Sequence, residues 1–227
     1  MKKLISVILV LSLLCLGLTA CTVKGRPSST TDGNTVNKPN TEGSDKTDST
    51  FLDDTDYSRP IFAEITVEDY GTITVKLDHT NAPITVENFV KLTKTGFYDG
   101  LTFHRIMEGF MMQGGDPEGT GLGGSDETIK GEFIANGVDN PLSHTRGAIS
   151  MARNGYDMNS ASSQFFIVHE DSDFLDGQYA CFGYVTEGIE VVDAICEDSQ
   201  PTDNNGTIPA SAQPKIVKIV ITQPELF

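Results

Sequence analysis

Few side chains in this chain have the type and spacing that chemistry needs. Cys181 and Cys196 could act as nucleophiles or pair with each other, but neither has a His or Lys close by in sequence. Cys181 also sits in an apolar run, where a buried thiol serves as a small hydrophobe, so both are read as unpaired thiols. His79, His144 and His169 are scattered without ligand spacing, so no metal or other cofactor is expected. Gly119-Thr120-Gly121-Leu122-Gly123-Gly124 fits the G-x-G-x-x-G pattern that cradles phosphates. No strand–helix–strand context surrounds it and no helix begins there, so it reads as a flexible loop. Arg105 remains. An arginine in a strand-like run is ordinarily a solvated edge charge, and His104, alternating with it, should face elsewhere in a structural role.

Positioning these groups falls mainly to strands. Ile61 to Val67 alternates, Tyr70-Gly71 makes a turn and Thr72 to Leu77 is a second β-branched run, which predicts a hairpin. Residues 82–96 are predicted as a helix, with Pro83 in the first turn, Val86, Phe89 and Val90 as its apolar stripe and Gly96 as its stop. Short strands are expected near 101–107, 109–113, 147–152, 163–169 and 179–185. A second helix over 188–195 puts Ile189, Val192 and Ile195 on one face, and residues 215–222 form a closing strand. This count points to a mostly β fold, a closed barrel. Alternation then raises a question. If Phe165 and Ile167 point inward, Gln164 and Phe166 share the outer face, and Met111 and Gln113 likewise share a face. Large apolar groups on both faces imply either a covering loop or a binding groove.

The N-terminal region is of another kind. Lys2 and Lys3 precede an apolar run from Leu4 to Leu18, which ends in Leu18-Thr19-Ala20-Cys21. A positive start, a short apolar core and a small-residue cleavage site describe a secretory signal, shorter than the roughly 20 residues of a spanning helix. The Leu-x-Ala-Cys ending resembles a bacterial lipobox, which implies residues 1–21 as a lipoprotein signal peptide and a palmitoyl-type anchor on Cys21. The protein is then expected on the extracytoplasmic face of the cell membrane. Residues 22–58 are rich in Thr, Ser, Asp, Asn, Gly and Lys and read as a flexible polar linker, with a reach of roughly 30–35 Å. Residues 59–227 are the folded domain. The formal net charge is -16, and the acidity belongs to this domain, which argues against nucleic acid and against a polybasic membrane surface.

The run Phe103-His104-Arg105-Ile106-Met107-Glu108-Gly109-Phe110-Met111-Met112-Gln113-Gly114-Gly115-Asp116 resembles the signature of the cyclophilin family of peptidyl-prolyl cis-trans isomerases. Gly147-Ala148-Ile149-Ser150-Met151-Ala152, Ser163-Gln164-Phe165-Phe166-Ile167, Phe174-Leu175-Asp176-Gly177 and Tyr179-Ala180-Cys181-Phe182-Gly183 are similar to its later blocks, in order. The resemblance implies a closed eight-stranded antiparallel β-barrel capped by two α-helices, with a proline groove on its outside. It implies Arg105 as the catalytic guanidinium, and Phe110, Met111, Phe166 and Leu175 as the lining of the proline pocket. Gln113 and Gln164 would supply polar contacts, and the backbone of Ala152, Arg153 and Asn154 would pair with the peptide. Phe174 stands where many relatives have Trp, removing an indole N–H that cyclosporin-like inhibitors could use. Tyr179 stands where His is frequent, and residues 154–162 form a longer loop than the eukaryotic pattern. The implied partners are proline-containing polypeptides, unfolded or exported, met by a monomer. A proline-binding chaperone or scaffold with incidental activity is the second reading, but binding alone would not need the guanidinium.

Overall fold

The computed structural model describes residues 53–225. The signal segment, Cys21 and the linker as far as residue 52 lie outside the described residues. Two strands, β1 (Ile61–Val67) and β2 (Gly71–Leu77), form the expected hairpin, with Ile61, Ala63, Ile65 and Val67 buried opposite Leu77, Val75 and Ile73. Helix α1 (Pro83–Lys94) follows. Its buried side carries Val86, Phe89 and Val90, and two lysines in its last turn complement the helix dipole. Then come β3 (Thr102–Met107), β4 (Met111–Asp116), β5 (Ala148–Met151), β6 (Phe165–Val168) and β7 (Cys181–Glu187). Helix α2 (Ile189–Asp198) and β8 (Ile216–Thr222) complete the order.

The eight strands make one antiparallel sheet in the order β3-β4-β6-β5-β7-β2-β1-β8. The sheet curls into a half-barrel, so the expectation of a closed barrel is corrected. No ladder runs between the end strands β3 and β8. The chain enters β8 through a 3-10 turn at Ala210–Ala212 and through Pro214, which has no N–H to donate. The seam is spanned instead by single bonds, among them Phe103 N–H to the Pro214 carbonyl (2.9 Å) and Gly100 N–H to that of Ile216 (2.8 Å). Residues 206–208 cover part of the remaining β3 edge, with Ile106 N–H donating to the Gly206 carbonyl.

Alternation sorts the strand residues into two apolar clusters. Ile65, Val75, Phe103, Met112, Ile149, Phe165, Ile167 and Phe182 point into the curl, where α1 contributes Phe89 and α2 contributes Val192 and Ile195. The rings of Phe89, Tyr98, Phe165 and Phe182 meet there at 5.1–5.6 Å between centroids, the tilted and edge-on packing aromatic rings favour. Met111, Ala148, Phe166, Val168, Leu175 and Cys181 form the second cluster on the outside of the same strands. Residues 53–58, placed in the linker from sequence, lie against the domain: Lys94 pairs with Asp53 at 2.8 Å, and the Tyr57 ring is 4.5 Å from that of His79.

Candidate active site

A bulge aims Arg105. Strict alternation would send Phe103 and Arg105 to one side, but the β3–β4 register shifts between them, leaving His104 as the extra residue. Phe103 therefore enters the core while Arg105 faces outward, directly opposite Gln113. The guanidinium is held at three corners. Its Nε donates to the Asn205 carbonyl (2.7 Å), Nη1 to Gln113 Oε1 (3.1 Å), and Nη2 approaches the Met107 sulfur (3.3 Å). Burial pushes its pKa below the ordinary range, with Tyr179 and Asp203 opposing the shift, and it remains a permanent cation at neutral pH.

This cation stands at the edge of a cavity of about 280 Å³ lined by Phe110, Met111, Gln113, Ala152, Arg153, Phe166, Leu175 and Tyr179. The volume suits one small ring rather than a large ligand. Each wall comes from a different element: Met111 from β4, Phe166 from β6 and Leu175 from a 3-10 turn at Asp173–Leu175. Phe110 lies in the tight turn that joins β3 to β4, 5.9 Å beneath the guanidinium. Tyr179 stands edge-on to Phe166 at 5.9 Å and under the Arg153 guanidinium at 4.8 Å. An apolar cup with one fixed cation at its rim can grip a ring and donate toward a lone pair that develops beside it.

Sequence reasoning placed most of these residues together, and three sit differently. Phe174 is 62% exposed and does not line the cavity, its ring tilted against that of Phe110 at 5.5 Å. Gln164 and Asn154 line a second cavity, of about 350 Å³, walled by residues 121–125, Ser160 and Ser162 and sharing Gln113, Ala152 and Arg153 with the first. The Gln164 amide is already engaged: it donates to the carbonyls of Gly121 and Gly123 and accepts from Gln113 at 2.8 Å. A chain of hydrogen bonds thus runs from Arg105 through Gln113 and Gln164 to the glycine-rich loop. Asn154 N–H donates to Ser160 Oγ and its carbonyl accepts from Arg153, so a peptide pairing there meets backbone groups that are already engaged. Cys181 and Cys196 are buried free thiols, whose pKa values burial pushes up to about 11 and about 12.

Some participants had no sequence signal. Backbone acceptors such as the Asn205 carbonyl carry no residue-type signature. Asp116 closes the recognisable motif, but its task is visible only in space: its carboxylate accepts from the N–H groups of Glu118, Thr120 and Gly121 and so folds the glycine-rich loop. Burial works against that charge, and these backbone bonds outweigh it and hold its pKa below the usual range. Gly115 is required beside it. Its φ of +82° and the Ser163 carbonyl, 2.5 Å from where a Cβ would stand, exclude a side chain.

Comparison with known proteins shows what the chain as a whole is similar to. The family described as "Cyclophilin type peptidyl-prolyl cis-trans isomerase/CLD" matches residues 62–222. Peptidyl-prolyl cis-trans isomerase B of Bacillus subtilis is 51% identical over 124 residues, covering 55% of this chain and 82% of that protein. A peptidyl-prolyl cis-trans isomerase of Helicobacter pylori J99 is 47% identical over 127 residues, covering 55% and 75%. The crystal structure of a Cryptosporidium parvum cyclophilin type peptidyl-prolyl cis-trans isomerase in the presence of the dipeptide Ala-Pro superposes with a TM-score of 0.63 at 30% identity. It covers 72% of this chain and 99% of that one.

Proposed function

The chain belongs to the cyclophilin-type peptidyl-prolyl cis-trans isomerases, and from that premise we propose that the Arg105 cavity turns Xaa-Pro bonds of exported polypeptides near a membrane to which Cys21 is anchored. Isomerisation of Xaa-Pro bonds is the activity of the family and of this chain. Amide resonance sets the barrier at about 18–20 kcal/mol, and uncatalysed exchange takes tens to hundreds of seconds. No covalent bond breaks, so what speeds the reaction is complementarity to the twisted amide. Twisting frees the lone pair of the prolyl nitrogen. Arg105 donates to that lone pair, while Phe110, Met111, Phe166 and Leu175 hold the ring and the rest of the peptide turns. The guanidinium is fixed before the substrate arrives and lies in a half-buried cup, where its charge acts more strongly than in water.

The observation that carries this reading is the placement of a pinned cation at the rim of an apolar cup of single-ring size. It is tested by turnover of a proline peptide in a protease-coupled assay on the full-length protein. Arg105→Ala is expected to lower kcat about a hundredfold, the range for removing a transition-state donor, with peptide affinity changed only a few-fold. Arg105→Lys restores a charge without the planar fork and recovers only part of the rate. Near wild-type turnover in Arg105→Ala would exclude the role. A solved relative is described with Ala-Pro, and the same chemical class, a short proline peptide, is the ligand proposed here.

The location rests on sequence. Lys2-Lys3, the apolar run and Leu18-Thr19-Ala20-Cys21 support export and acylation, and the polar linker would let the domain reach chains emerging nearby. Acyl chains contribute about 0.8 kcal/mol per buried CH₂. Metabolic labelling with a fatty acid tests this: label on the wild type and none on Cys21→Ser is the expected result, and an unlabelled wild type ends the proposal.

A further inference from the structure

The turn between β3 and β4 carries Phe110, and its conformation is set from behind. Phe110 N–H donates to the Met107 carbonyl (3.0 Å), and Gly109 occupies the third position with φ +76°, the position at which a type II turn requires glycine. In such a turn the peptide between the second and third residues is free to flip. Here its N–H, that of Gly109, donates to Nδ1 of His169 at 2.9 Å. His169 follows β6 and is 8% exposed, and its own N–H donates to the Phe110 carbonyl at 2.8 Å. A backbone N–H can only donate, so Nδ1 must carry a lone pair and the ring proton sits on Nε2. Nε2 lies 3.2 Å from Asp193 Oδ1 of α2, a close approach without the geometry of a hydrogen bond. Asp193 is braced in turn by Arg146, whose Nη2 donates to Oδ2 at 2.8 Å and whose Nη1 donates to the His169 carbonyl at 2.7 Å.

We infer that His169 is a positioning residue for the proline-gripping wall: it selects one orientation of the Glu108–Gly109 peptide and thereby sets where the Phe110 ring stands. The inference rests on the reading of the Arg105 cavity given above. Both ends of the turn touch Arg105, Met107 through sulfur and Phe110 through its ring face. The guanidinium nevertheless has holds independent of the turn, on Asn205 and Gln113. Loss of His169 therefore loosens the grip on the proline ring more than it disturbs the donor.

Isosteric replacements of His169 in the full-length protein separate positioning from bulk. Asparagine places Oδ1 where Nδ1 stands and keeps an acceptor for Gly109. Phenylalanine fills the space and offers none. His169→Phe is expected to raise KM for a proline peptide about fivefold with kcat within twofold, and to make the Gly109 amide exchange rapidly with solvent by NMR. His169→Asn is expected to keep KM within twofold of wild type and the Gly109 amide protected. The inference is overturned if His169→Phe keeps a wild-type KM, or if both variants lose activity in proportion to lost thermal stability. Loss confined to kcat also overturns it. An inactive Arg105→Ala with normal His169 variants would refute this inference alone, whereas an active Arg105→Ala would refute the cavity's proposed role.

Discussion

Two buried histidines stand behind two walls of the same groove, and they are held in opposite ways. His144 lies under the floor of the proline cavity with its ring 6.0 Å from Phe166 and nearly parallel to it. Its Nδ1 meets Asp176 Oδ1 at 2.9 Å and its Nε2 meets Ser150 Oγ at 3.0 Å. Asp176 also accepts from the Ser143 hydroxyl (2.6 Å) and from His144 N–H (2.7 Å), so it ties the chain just after Leu175 to the same point. His104 lies under the glycine-rich loop, and neither of its ring nitrogens has a partner. It borders a cavity of about 450 Å³ together with Arg105, Gly119, Gly121, Asn205 and Thr207, so the two neighbours share a cavity rather than facing fully apart. The lesson is one of rigidity. Directional bonds fix the wall that must match one small ring, while the wall that meets the varied rest of a client rests partly on packing alone.

The largest expected effect comes from His144→Leu. It removes the stacked ring beneath Phe166 and leaves the Ser150 hydroxyl without its partner, while Asp176 Oδ1 keeps only the His144 N–H. Losses of this kind cost about 3 kcal/mol, read as a lower urea midpoint, and kcat/KM should fall with them as Phe166 loses its backing. A cost below about 1 kcal/mol would show that the bonds do not fix this wall.

Acid gives the next largest effect. Burial lowers the pKa of both histidines. Asp176 opposes this at His144, while at His104 Asp116 opposes it and Arg105 adds to it. Below about pH 6.5 the unfolded chain therefore protonates each histidine before the folded chain does. Stability is complete above that pH and falls as the pH drops, by up to about 1.4 kcal/mol per pH unit for each histidine kept neutral. Urea unfolding of the wild type at pH 7 and pH 5 measures the drop, and each His→Leu variant should flatten it. An unchanged midpoint across that interval would contradict the burial argument for both regions.

Much of this architecture was legible from periodicity. Ile61–Val67, Pro83–Lys94 and Ile216–Thr222 lie within a residue or two of their expected bounds because alternation and the 3.6 repeat report burial directly. The same alternation puts Phe166 on the face opposite Phe165 and Ile167, while its place in a groove was implied only by the family resemblance. Misplacements occur where backbone geometry overrides pattern. Residues 109–110 belong to the Gly109 turn, so β4 begins at Met111 and runs to Asp116, three residues past the expected end at 113. The bulge at His104 and the open seam at Pro214 are tertiary outcomes that a strand count does not contain. Within the site, side-chain identities were legible, but the second cavity was not, because its wall is the backbone of the glycine-rich loop.

The smallest effect expected is the one that sharpens the comparison most. His104→Leu makes the same chemical change as the first variant, in the wall where the histidine has no partner to lose. An unsatisfied buried polar group costs roughly 1–3 kcal/mol, and leucine removes that cost while giving up the fit of the ring. No bond ties the loop to the ring, since neither ring nitrogen has a partner and Gly121 has no side chain to press on it, so leucine removes no hydrogen bond there. Asp116 keeps folding that loop through three backbone N–H groups whichever residue lies below it. Stability should therefore change by less than about 1 kcal/mol at pH 7, with a gain relative to wild type at pH 5, where the unfolded state no longer binds a proton at this position. A loss comparable to that of His144→Leu would mean that His104 has a bonded partner, such as an internal water, and that the two walls are held alike.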